Sequence, residues 1–207
     1  MKLLLCSDGD YAWKQGFEHF GISKNDIRIG YVTTASKGLP DQTYIDHYKK
    51  SMRMAGYTAE PFNIEGKSLD EMRTFFTDKN IVHVEGGNVF YLLKAVRESG
   101  FDIVLRELFA RGIYYSGSSA GSYIMAPSIE TATWKSGDKD RFGVTDFTAL
   151  NYVSFLVFAH YKPEMEERVR EKMSTTKYPV RVLMDGQAIF VDNGIDTFVG
   201  EGKEIHL

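Results

Sequence analysis

One cysteine stands in 207 residues. With no second thiol, an internal disulfide is excluded, and so is any zinc site built on several cysteines. Cys6 lies in the apolar stretch KLLLCS, where a free thiol behaves as a small buried hydrophobe. Long apolar runs are missing too. Nothing approaches the roughly 20 residues of a membrane span, and MKLLLCSDGD carries too brief an apolar run for a secretion signal. The expectation is a cytoplasmic protein with no membrane partner. Neither charge sign dominates: 25 Lys and Arg stand against 28 Asp and Glu, a net −3. With no basic block, nucleic acid is not an expected partner. Repeats, low-complexity tracts and linkers are absent, and no metal-ligand spacing appears. No metal and no cofactor are expected.

What is present is a globular composition, 43% hydrophobic and 26% charged, enough for one domain spanning residues 1–207. Short apolar runs at 2–7, 27–34, 81–87 and 113–119 read as strands. Segments 11–20, 42–55, 89–97 and 102–111 between them read as helices. Val89, Leu92, Leu93 and Val96 recur at helical spacing and give one buried face. Ile103, Leu105, Leu108 and Phe109 repeat the pattern. Continuous apolar strands alternating with helices imply a parallel sheet covered on both faces. Later, 153–160 reads as another buried strand and 164–173 as a charged helix. The tail from 180 onward carries turns at Asp185-Gly186, Asn193-Gly194 and Glu201-Gly202, as antiparallel strands would. The fold class is therefore α/β. It is a three-layer αβα sandwich on a mostly parallel, doubly wound sheet with antiparallel strands at the C-terminal edge.

Ligands of such folds bind beyond the carboxyl ends of the strands. That directs attention to the exits at 7–10, 33–37, 85–88 and 116–122, and to His160. Gly117-Ser118-Ser119-Ala120-Gly121 fits the G-x-S-x-G nucleophile elbow. There a serine sits on a tight strand-to-helix turn among small neighbours, and the next amide, that of Ala120, points at the reacting carbonyl. Ser119 is the displayed residue. The bland alternative is a small-residue turn with a capping serine. A second exit, Val84-Glu85-Gly86-Gly87-Asn88, offers bare amides for an oxyanion, or a tight turn with Asn88 capping the next helix. Of the five histidines, His19 and His47 fall inside helices, His206 lies in the tail and His83 alternates within a buried strand. His160 ends an apolar run on the side of the sheet expected for Ser119, the place for a general base.

Together GYVTTAS (30–36), EGGNVFYLL (85–93), GSSAGSYIMAPSI (117–129) and ALNYVSFLVFAHY (149–161) resemble the peptidase E family of serine peptidases. That family holds aspartyl dipeptidases and, more distantly, cyanophycinases. The resemblance implies an amidotransferase-like sandwich with Ser119 as nucleophile and His160 as base. It also implies Gly87 and Ala120 as oxyanion donors, with Asn88 lining the pocket. Two features depart from the family pattern. Trp134 stands where aspartyl dipeptidases carry the third, acidic member. Asp138 in the loop KSGDKD then leads as the acid, with Asp185, the cyanophycinase-like position, as the other candidate. Met165 stands where a basic residue would hold the substrate's aspartate, and Lys162 and Arg168 nearby read as surface charge.

The expected activity is that of a serine-type, dipeptidase-like enzyme cleaving short peptides through an acyl-enzyme. The competing reading, motivated by Trp134, is a weakened or inactive member binding a small amino-acid-like ligand at the same exits. A homodimer is left open as an assembly.

Overall fold

The computed structural model describes residues 1–39, 43–135 and 141–207. Among the described residues nine strands form: β1 (Lys2–Cys6), β2 (Ile29–Val32), β3 (Pro61–Phe62), β4 (Ile81–Val84), β5 (Tyr114–Ser118), β6 (Leu156–Phe158), β7 (Val180–Val182), β8 (Gln187–Asp192) and β9 (Ile195–Gly200). Seven of them make one sheet in the order β3-β2-β4-β5-β1-β8-β9. The first five in that order run parallel. β8 joins β1 antiparallel, and β9 joins β8 in the same way. The mixed, mostly parallel sheet with an antiparallel C-terminal edge is the expected architecture. Asn193 and Gly194 supply the two positive φ angles, 49° and 87°, that a two-residue β8–β9 hairpin needs.

The α-helices among the described residues are α1 (Gly9–Lys14), α2 (Thr43–Met54), α3 (Leu69–Phe75), α4 (Val89–Ser99), α5 (Phe101–Ala110), α6 (Ala120–Tyr123) and α7 (Glu166–Met173). None among the described residues is long and apolar enough to cross a membrane. Strand alternation decides which helices each face meets. Leu3 and Leu5, with Val82, Val84 and Tyr115, pack on α3, α4, α5 and α6. Leu4, Cys6, Tyr31 and Ile81 point the other way, onto Trp13, Phe17, Phe20 and Met52. In α5 the buried stripe is Phe101, Val104, Leu105 and Leu108, while Ile103 turns outward. That stripe has a cleaner i, i+3, i+4, i+7 spacing than the one that includes Ile103.

Four further differences from the sequence reading have local causes. The helix expected over 11–20 stops at Gln15, and Gly16–Phe20 continues as a 3₁₀ turn. A Cβ on Gly16 would meet Leu4 Cδ2 at 2.6 Å, so the chain presses on the sheet there. The expected helix over 164–173 likewise opens with a 3₁₀ turn at Pro163–Met165. Unanticipated α3 begins in a capping box, in which Ser68 Oγ accepts from Glu71 N and Ser68 N donates to the Glu71 carboxylate. The motif S-L-D-E announces it. The fourth difference matters most: β6 is short and lies outside the main sheet. It pairs in parallel with β7, in register Phe158↔Val182, as a separate two-stranded sheet. β8 already occupies the free side of β1 over five residue pairs, so neither β6 nor β7 can dock there. This small sheet packs with α7 around Trp134, Phe158, Tyr161, Val169 and Val182.

Two features place backbone for the exits. α6 lies close against β4 and β5 because Gly117 and Gly121 lack side chains. A Cβ on Gly121 would sit 2.2 Å from Val84 O. Beside them, Glu85 is almost fully buried, and Tyr31 donates its hydroxyl proton to Glu85 Oε1. Glu85 Oε2 has no partner among the described residues. Burial pushes this carboxyl up to about 7.

Gly121→Ala is expected to destabilise the protein by about 1–3 kcal/mol through overpacking, read from urea midpoints. For Glu85, the folded protein holds more protons than the unfolded chain between the ordinary carboxylate range and about 7. Its contribution to stability therefore falls as pH rises through that window and levels off above it, a change on the order of 3 kcal/mol. Glu85→Gln is expected to flatten that slope in urea unfolding measured from acid to neutral pH.

Candidate active site

β5 ends at Ser118, and Ser119 turns the chain at φ 46°, ψ −103° before α6 begins. Such an angle is costly for a residue with a Cβ. The turn is held from β1: Cys6 O accepts Ser119 N–H at 3.0 Å, and Ser122 Oγ, with its single proton, lies 2.8 Å from both Cys6 O and Gly117 O. Ser119 is half-buried, whereas Ser118 is buried and its Oγ has no partner among the described residues. Gly117 and Gly121 give this turn the close packing that the G-x-S-x-G pattern requires.

The second exit follows β4. Gly87 has φ 148°, and a Cβ there would meet Ala35 O at 2.3 Å, so glycine alone fits. No bond from the Gly87 or Ala120 amide is found among the described residues. Asn88 Oδ1 accepts from Phe90 N and Tyr91 N at 2.9 and 3.1 Å and so caps α4. Asn88, which the resemblance places at the pocket, is thus a helix cap, a role compatible with a place beside the site, although it is not among the lining residues of the cavity described below.

His160 lies two residues beyond β6 with φ 56°, and Asp185 lies three beyond β7. Because β6 and β7 run parallel in register, their exits bring the two side chains together. His160 Nδ1 stands 2.5 Å from Asp185 Oδ1. A carboxylate can only accept, so Nδ1 carries the proton and Nε2 is left as the basic nitrogen. The His160 bond is the main cause holding the Asp185 carboxyl below its usual range, with Ser7 and Lys135 acting in the same direction. Asp138, the leading candidate acid, lies outside the described residues. Trp134, in the position the resemblance gave to an acid, is a core residue whose ring stacks on Phe158 at 6.0 Å.

Ser119 and His160 line one cavity of about 220 Å³, together with Gly86, Gly87, Ser118, Asp8, Leu39, Tyr48 and Lys135. A larger cavity of about 560 Å³ lies between α1 and α2. There Asp10 is bonded to Lys14 and His47, and no elbow or glycine loop lines it. Volume alone does not pick out the chemistry.

Three contributors went unnoticed in the sequence. Ser7 and Asp8 stand at a flagged exit, yet neither belongs to a motif. Lys135 reaches the cavity from beyond the 3₁₀ turn Glu130–Thr133, with its ammonium over the rings of Tyr123 and Phe158 at 5.8 and 5.7 Å. Its only sequence signal is its place next to Trp134. Met165 packs against the Trp134 cluster, and Lys162 and Arg168 are exposed. Cys6 is sealed in the core, and burial pushes its thiol up. His83 is fully buried on Ser116, and burial lowers it to about 3. Among the described residues no cluster of three or more His, Cys, Asp or Glu could hold a metal ion.

Comparison with known proteins gives a consistent answer. An uncharacterized peptidase of Pasteurella multocida is 29% identical over 191 residues, covering 90% of this chain and 92% of its own. A peptidase E of Streptomyces coelicolor is 28% identical over 217 residues, covering 97% of this chain and 85% of its own. The crystal structure of a peptidase E candidate from Listeria monocytogenes superposes with a TM-score of 0.81 at 26% identity, covering 97% of this chain and 98% of that one. The family model for peptidase family S51 matches residues 3–197, from β1 through the elbow and His160 into β9. The chain therefore belongs to peptidase family S51, and the enzyme class that membership carries is that of a peptidase.

Proposed function

We propose that the protein is a serine peptidase of short peptides, with Ser119 as nucleophile, His160 as general base and Asp185 as the acid that orients it. The observation that carries this reading is the 2.5 Å contact of His160 Nδ1 with Asp185, made by a histidine that lines the same cavity as Ser119. His160 Nε2 takes the Ser119 hydroxyl proton as Oγ attacks the scissile carbonyl. The amides of Gly87 and Ala120 receive the oxyanion of the tetrahedral intermediate. As that intermediate collapses, His160 returns the proton to the leaving amine and an acyl-enzyme remains. Water, deprotonated by the same imidazole, releases the acid and restores Ser119.

The cavity supports a small substrate. At about 220 Å³ it falls below the roughly 300–1,000 Å³ of pockets for drug-sized ligands. Lys135 is the cation in its wall, and we assign it to a carboxylate of the peptide. The binding-protein alternative drew its motive from Trp134. Asp185 against His160 supports a hydrolase instead.

Dipeptide hydrolysis and fluorophosphonate labelling test the reading. Ser119→Ala is expected to lose at least about 10³ in kcat and all labelling, and Asp185→Asn about 10³–10⁴ in kcat. Equal turnover by wild type and Ser119→Ala would end this assignment. Lys135→Met is expected to raise KM by about tenfold for peptides with a free carboxylate over their amidated forms, the size of one charge-assisted hydrogen bond.

A further inference from the structure

Ser7, the first residue beyond β1, is fully buried and belongs to no motif. Its hydroxyl oxygen accepts the backbone N–H of His160 at 2.8 Å. It also lies 3.1 Å from Asp185 Oδ1 and 3.3 Å from Leu183 O. A hydroxyl has one proton and two lone pairs. Ser7 therefore holds His160 through its oxygen while its single proton goes to the shorter, charged acceptor, Asp185. One side chain thus contacts both halves of the His160–Asp185 pair, and it does so from the strand whose last carbonyl, that of Cys6, pins Ser119.

Neighbouring residues reinforce the arrangement. Ser7 N donates to Gln187 O at 2.9 Å. Asp8 Oδ2 accepts from Gly186 N at 2.5 Å, while Oδ1 caps α1 through Asp10 N at 2.8 Å. The loop carrying Asp185 is therefore tied to the two residues just past β1 at Gly186 and Gln187, immediately after the acid. His160 needs such restraint, because a non-glycine residue at φ 56° is strained and persists only where its surroundings over-determine it. Past the last ladder pair, Phe158↔Val182, Leu183 N donates to Phe158 O and Leu183 O accepts from Tyr161 N, so the β6–β7 segments flank His160 while its own N–H is left to Ser7.

We propose that Ser7 is a positioning residue for the reaction, setting the imidazole of His160 and the carboxylate of Asp185 against each other and in register with Ser119. The proposal rests on the assignment of His160 and Asp185 made above. Ser7 touches no reacting atom. It fixes the backbone that carries the base and donates to the acid that orients it.

The test compares wild type with Ser7→Ala, Ser7→Cys, Asp185→Asn and Ser119→Ala. Turnover of the variants that keep Ser119 is expressed per site by fluorophosphonate titration, and that of Ser119→Ala per folded protein from its urea unfolding amplitude, so that loss of folded protein does not count as loss of rate. Ser7→Ala is expected to lower kcat by roughly ten- to hundredfold, the scale of a slightly misplaced catalytic group, with KM held within about threefold. Ser7→Cys, a similar volume with a weaker hydrogen-bonding group, falls between. The second readout is the downfield proton resonance of His160 Nδ1–H, identified by its loss in Asp185→Asn. In Ser7→Ala it is expected to shift upfield and broaden. An unchanged resonance overturns the proposal whatever the rate, as does unchanged kcat beside a shifted resonance. If Ser119→Ala turns out as active as wild type, the peptidase assignment fails. The resonance still decides, independently, whether Ser7 orders the pair.

Discussion

The carbonyl of Cys6 is the point from which the site is built. It accepts the amide of Ser119, and the Ser122 hydroxyl lies between it and Gly117 O, so the elbow is fastened to β1 at the place where that strand ends. β1 lies between β5, which delivers Ser119, and β8, which follows Asp185. Its next two residues then reach across to the histidine and acid loops. A central strand can do this only if its own length is apolar and immobile, and Leu3, Leu4, Leu5 and Cys6 are all fully buried. Hydrophobic burial on both faces of the sheet thus becomes angular precision at its carboxyl edge.

Local backbone preferences give way at this edge. Five non-glycine residues among those described have positive φ, and two of them are Ser119 and His160. Polar groups also stand unpaired nearby: Ser118 Oγ, Glu85 Oε2 and His83 Nε2 are buried without partners among the described residues. Native interiors satisfy nearly all such groups. Their concentration at the ends of β4 and β5 marks a region where stability is given up for geometry. The remainder of the core, with stacked and edge-on aromatic pairs such as Phe62–Phe75 and Trp13–Phe17, supplies the surplus that makes this tolerable.

Much of this was legible from residue order. The four parallel strands β1, β2, β4 and β5 are short, mostly buried runs bounded by polar segments, and α4 carries a clean helical stripe. The elbow and the glycine loop announce themselves because close backbone approach tolerates only glycine and serine. His160 was legible as the polar end of an apolar run. What could not be read was which strands pair. The run 153–160 is as apolar as a main-sheet strand, and only the prior claim of β8 on β1 sends it elsewhere. The acid was open for the same reason. Asp185 reads as an ordinary turn residue until β6 and β7 are known to lie side by side, whereas Asn88 reads equally well as a pocket residue or a cap. Ser7 and Lys135 carry no pattern at all, since their positions follow from tertiary packing.

The division between main sheet and two-stranded annex bears on how such a protein diverges. The annex that carries His160 and Asp185 has its own small apolar cluster, with Trp134 at its heart. Substitutions there repack the annex without touching the carbonyl that anchors Ser119. The turn that displays Ser119 is thus set by the main sheet, whereas the contact of His160 with Asp185 is set by the pairing of β6 with β7.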